Sequence, residues 1–169
     1  MTRKRLIASA AAVAAVALAA AACGGSSQSA QGSASATPAA SASGTVDMAP
    51  SGLGDILVDS SGRTLYLFEK DTNGVSSCTG GCASDWQPLE ATGSPSAGAG
   101  VAGAKLGTTT RADGGAQVTY SGHPLYLFVG DAKAGDTKGE GINEFGAEWF
   151  AVSPGGSSVQ KRTAVVSGY

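Results

Sequence analysis

Residues 61–71 read Ser-Gly-Arg-Thr-Leu-Tyr-Leu-Phe-Glu-Lys-Asp, and residues 121–131 read Ser-Gly-His-Pro-Leu-Tyr-Leu-Phe-Val-Gly-Asp. Seven of the eleven positions are identical at an offset of 60, and Asp85-Trp86 returns as Glu148-Trp149 at an offset of 63. Two copies are too few for a long solenoid. They predict one pseudo-twofold domain built from two repeats of about 60 residues, each burying its aromatic face against the other. Strand alternation puts Tyr66 and Phe68, and likewise Tyr126 and Phe128, on one side, with Leu65, Leu67, Leu125 and Leu127 on the other. Both sides are apolar, so these read as central strands covered on both faces. Asp71 and Asp131 follow the strands and are expected to cap turns by accepting backbone N–H groups.

The remaining pattern is also β. Short β-branched or aromatic runs bounded by Gly, Asp and Ser predict strands at 55–59, 63–69, 105–111, 116–120, 123–129 and 148–153. Asp59-Ser60-Ser61-Gly62, Asp113-Gly114-Gly115 and Ser121-Gly122 supply turns between them, the last a two-residue hairpin loop. No helix is evident. Segment 93–104, rich in Gly, Ala and Ser, reads as a mobile loop. The expected fold class is all-β, a single domain closed as a barrel-like sheet or a sandwich.

That domain spans residues 45–169 once the N-terminus is set aside. Arg3, Lys4 and Arg5 precede an uncharged run from Leu6 to Ala22, and Cys23 follows. This is the order of an export signal, residues 1–22. The small residues before Cys23 resemble a bacterial lipobox, which implies lipidation of Cys23 and attachment to the membrane through that anchor. Residues 23–44 hold almost only Gly, Ser, Ala and Gln and are expected to form a disordered tether reaching about 25 Å. Removal of the signal leaves eight Lys and Arg against thirteen Asp and Glu, a charge of −5. An acidic domain of this kind offers nothing to nucleic acid and stands off an anionic membrane.

The repeat resembles a known family. Tyr66-x-Phe68-x-x-Asp71 and Tyr126-x-Phe128-x-x-Asp131 match the Tyr-x-aromatic-x-x-Asp motif of the bacterial secreted-repeat lipoproteins. The flanking Gly62-Arg63-Thr64-Leu65, Cys78-Thr79-Gly80-Gly81-Cys82-Ala83, Trp86-Gln87-Pro88-Leu89 and Gly122-His123-Pro124-Leu125 are similar too. The resemblance covers about 54–154 and implies an envelope location without naming a reaction.

Chemistry-bearing residues are few. With Cys23 assigned to the anchor, Cys78 and Cys82 are the arithmetic of one disulfide in an exported domain. Two other uses stay open. Cys78, Cys82 and His123 form a soft-sulfur and imidazole set suited to copper, and the two thiols could form a reversible redox pair. His123 otherwise reads as a turn-flanking side chain. No Gly-x-Ser-x-Gly elbow frames a nucleophile, so no catalytic residue is assigned and an enzyme is not expected. Asp131, Asp136 and Glu140 do not follow a calcium-loop order, and 135–139 lacks the order of a phosphate loop, so no nucleotide is expected. The reading is a membrane-anchored extracytoplasmic lipoprotein, a non-catalytic binding or structural module of the envelope with no cofactor and an unassigned envelope partner. The alternative is a copper-binding or electron-transfer protein.

Overall fold

The computed structural model describes residues 44–159. The export signal, Cys23 and nearly all of the tether lie outside the described residues. Gly44, expected at the tether's end, is buried within the domain, and its carbonyl accepts the Ser96 N–H at 3.0 Å.

The domain is all-β, with a curled, half-barrel sheet at its centre. Repeat one contains β1 (Thr45–Ser51), β2 (Gly54–Asp59), β3 (Tyr66–Phe68), a five-residue helix α1 (Gly81–Asp85) and β4 (Trp86–Pro88). A short β5 (Ser96–Ala97) and a 3-10 turn (Gly103–Lys105) follow in the connection. Repeat two contains β6 (Leu106–Thr110), β7 (Ala116–Tyr120), β8 (His123–Pro124), β9 (Tyr126–Phe128), β10 (Ile142–Glu144) and β11 (Ala147–Ala151). Three differences from the sequence expectation stand out. The helix α1 exists, although it is a single turn that contains Cys82 and is tied through it to Cys78. The segment expected as a mobile loop contributes β5, which pairs in parallel with β1. The long strands expected at 63–69 and 123–129 are interrupted at Leu65 and Leu125, whose backbones turn to other partners.

Those interruptions organise the fold. Leu65 N–H donates to Leu57 O, Leu57 N–H to Val152 O, and Val152 N–H to Leu65 O, at 2.9, 2.8 and 3.0 Å. The same closed ring joins Leu125 to Val118, Val118 to Leu89 and Leu89 to Leu125, at 3.0, 2.8 and 2.9 Å. The third member in each ring comes from the other repeat. Each repeat therefore sends the strand that carries its Trp across to its neighbour: β4 pairs with β9, and β11 pairs with β3. The five-stranded sheet has the order β10-β11-β3-β9-β4, and β3 and β9 meet at its centre with Tyr66 opposite Tyr126.

The predicted facing holds. Leu65, Leu67, Leu125 and Leu127 pack in one apolar cluster with Val46, Leu57, Leu89, Val118, Tyr120, Phe150 and Val152. Tyr66, Phe68 and Tyr126 pack in the other with Ile56, Trp86 and Trp149. The predicted turns form as well: at Ser121-Gly122 both residues have positive φ, 50° and 82°, the geometry of a tight two-residue hairpin.

Candidate functional site

The centre of the molecule is the crossing of the two repeat motifs. Tyr66 and Tyr126 face each other in the β3–β9 register, so both rings leave the same face of the sheet. Their hydroxyls then part. Tyr66 Oη donates to Asp131 Oδ2 at 2.7 Å, and Tyr126 Oη donates to Asp71 Oδ2 at 2.6 Å. Each tyrosine is held by the aspartate of the other repeat. Asp71 and Asp131 also do what the sequence predicts: Asp71 Oδ1 accepts the Ser77 N–H and Asp131 Oδ1 accepts the Lys138 N–H, at 2.7 and 2.9 Å. One oxygen of each carboxylate thus caps its own loop and the other takes the opposite phenol.

A second polar group completes each hydroxyl. Gly139 N–H donates to Tyr66 Oη at 3.2 Å, and Ser76 Oγ shares a 2.8 Å hydrogen bond with Tyr126 Oη. Gly139 must be glycine here, because a Cβ would lie 2.8 Å from Tyr66 Cζ and 2.9 Å from Trp86. Burial, and then the hydrogen bond to the carboxylate, push both phenols well above the ordinary tyrosine value. Burial also pushes the Asp131 carboxyl up.

Stacked rings lie beside this lock. Trp86 and Trp149 stack with centroids 3.9 Å apart and planes 5° apart. Phe68 covers Trp149 at 4.0 Å and Phe128 covers Trp86 at 4.4 Å. Tyr66 meets Trp86 edge-on at 5.4 Å, and Tyr126 meets Trp149 edge-on at 5.1 Å. Both indole N–H groups end on Glu144, on its carboxylate and its carbonyl, each at 3.3 Å. Asp85 and Glu148, which precede the two Trp residues, keep exposed side chains and act through their carbonyls, accepting from Val129 and Glu69 N–H.

The remaining candidates are dispersed. Cys78 and Cys82 are joined in a disulfide that closes the α1 loop. Among the described residues no three His, Cys, Asp or Glu side chains group closely enough to hold a metal. The copper set of Cys78, Cys82 and His123 is therefore not assembled, because the sulfurs are tied to each other in repeat one and the imidazole stands on the β7–β8 hairpin. Asp131, Asp136 and Glu140 form no such group either: Asp136 caps Ala132 N–H, and Glu140 Oε2 accepts Ala151 N–H at 2.8 Å. His123 is half-buried and lines a cleft of about 400 Å³ with Leu67, Phe68, Glu69, Asp71, Ser157 and Ser158. Its repeat counterpart, Arg63, is clamped by Asp59 at 3.0 and 3.1 Å.

Sequence reasoning missed Arg111. It is buried, and its guanidinium donates to Ser76 Oγ at 3.0 Å, Gln117 Oε1 at 2.9 Å and the Cys78 carbonyl at 2.9 Å. It thereby fastens the disulfide loop of repeat one to the hairpin of repeat two. No periodic signal marks it, since a lone Arg at the end of a strand reads as surface.

Comparison with known proteins agrees with this two-copy geometry. No curated protein and no solved structure matches the chain. A family described as a secreted repeat of unknown function, Lipoprotein_15, matches residues 48–90 and again 107–153, the two halves that exchange their Trp strands. The chain therefore belongs to this family of secreted, extracytoplasmic repeats and carries two copies of its unit, each completed by the other.

Proposed function

We propose that the protein is a lipid-anchored lipoprotein whose β domain is a non-catalytic binding or structural module of the cell envelope. The observation that carries this reading is the reciprocal lock. The motif's hydroxyls and carboxylates hold the repeats together, and a buried phenol–carboxylate pair of this kind fixes a fold without exposing a nucleophile or general base to a substrate. Among the described residues every buried side-chain nitrogen or oxygen has a partner, which suits a rigid unit. The sequence supplies the anchor: a basic start, an apolar run and Cys23 behind small residues.

Intact-mass analysis of the chain extracted from its host's membranes tests the anchor. The expected product begins at Cys23 and carries acyl mass, and Cys23→Ser moves the protein to the soluble fraction. An unacylated mature chain overturns the anchor. The non-catalytic role is tested by complementation of a deletion strain with His123→Ala and with Cys78→Ser/Cys82→Ser. Both are expected to complement when folded. Failure of a folded variant would return the copper or thiol reading.

A further inference from the structure

We propose that the buried aromatic array is a one-electron relay, taking an oxidising equivalent from a small inorganic radical at the Trp86–Trp149 pair and settling it on Tyr66 or Tyr126. The indoles overlap almost face to face at 3.9 Å, so an electron vacancy is shared across both rings. Each indole touches one tyrosine, at 5.4 and 5.1 Å, and tunnelling over such contact is fast because it decays steeply with distance. All four rings are fully buried. The pair nonetheless lies one side chain from the surface, since Trp86 Nε1 meets the exposed Glu144 carboxylate.

The destination is equally prepared. A phenol radical cation is a very strong acid, so tyrosine is readily oxidised only where a base already accepts a hydrogen bond from its hydroxyl. Asp131 Oδ2 and Asp71 Oδ2 stand 2.7 and 2.6 Å from the two hydroxyls. In the step, the radical oxidant gains one electron from the indole pair and becomes an anion. One electron from a tyrosine refills the indole, its O–H bond breaks, and the proton passes to the facing aspartate. The products are a neutral tyrosyl radical and a neutral carboxyl group. A mechanical lock needs the hydrogen bonds alone, whereas a relay also needs phenols in contact with the stacked indoles, and the pseudo-twofold axis builds that arrangement twice.

Pulse radiolysis of the mature chain in detergent with azide radical tests this. The expected course is an indolyl transient that converts to tyrosyl, more slowly in D2O than in water. Conversion is lost in Tyr66→Phe/Tyr126→Phe, although Tyr120 and Tyr169 remain, and slows about tenfold in Asp71→Asn/Asp131→Asn as the proton acceptor weakens. An indolyl transient that never converts, or converts unchanged in the double Phe variant, overturns the relay. Should that variant fail to fold, the wild-type chain decides: an equal rate in D2O and water overturns it.

Discussion

The two repeats share one frame and differ in how they stiffen it. Near the axis they are interchangeable: Tyr66 and Tyr126, Asp71 and Asp131, Trp86 and Trp149, and the two closed backbone rings correspond one to one. Away from the axis they diverge. Repeat one approaches its Trp through the disulfide-closed turn α1, while repeat two approaches it through the β10–β11 hairpin. Ile56 in the first hairpin has the fully buried Gln117 as its counterpart in the second, where Gln117 receives Arg111 and donates to the Leu125 carbonyl. The exchanged strands and the crossed Tyr–Asp pairs, which both repeats share, therefore define the fold. The loop before each Trp can be built in more than one way, provided it delivers the indole to the stack.

The comparison breaks most sharply at the axis. Tyr66→Ala and Tyr126→Ala each remove a fully buried ring and should cost about 3–5 kcal/mol in urea unfolding. Similar losses on both sides support equivalence, and a loss confined to one repeat would refute it. Arg111→Ala, with no counterpart in repeat one, should cost about 3 kcal/mol, since it strands Gln117 and the Cys78 carbonyl. Its signature is earlier hydrogen exchange in loop 72–80 than in loop 132–138. Cys78→Ser/Cys82→Ser should cost about 2 kcal/mol, because a short ring constrains the unfolded chain little; a much larger loss of Tm would make repeat one the weaker half.

The smallest effect is one of pH. Both central phenols stay protonated above their ordinary value of 10.0 in the fold, while the unfolded chain releases those protons first. Their contribution to stability is then level below about pH 10 and falls as pH rises beyond it. Phenolate absorbance from Tyr66 and Tyr126 should appear only as the far-UV circular dichroism is lost. Ionisation of either one in an intact fold would show that its carboxylate partner does not hold it.

Much of the frame was legible beforehand. The period-two alternation separated Leu65 and Leu67 from Tyr66 and Phe68, and the structure keeps them in different clusters. Ser121-Gly122 and Asp113-Gly114 announced their hairpins through residues that tolerate positive φ or cap their own turn. The one-turn helix was not legible, because the five residues Gly81–Asp85 are too few to carry a helical period. Nor was the interruption of the long strands, since Leu65 and Leu125 differ from their neighbours only in where their backbone groups go. At the site, the motif residues were visible and their pairing was not, and Arg111 gave no sign at all.

The two copies, the β class, the faces of the central strands and the caps after them are all written in the order of the residues. These follow from short-range rules: side-chain alternation, turn stereochemistry and the reach of a carboxylate to nearby N–H groups. That Tyr66 belongs to Asp131 and Tyr126 to Asp71, that the Trp strands cross over, and that Arg111 ties the halves together emerges only on folding. Those choices join residues 65, 55 and 33 positions apart. They exist only once the pseudo-twofold axis has closed and brought each repeat's polar atoms within hydrogen-bonding distance of the other's.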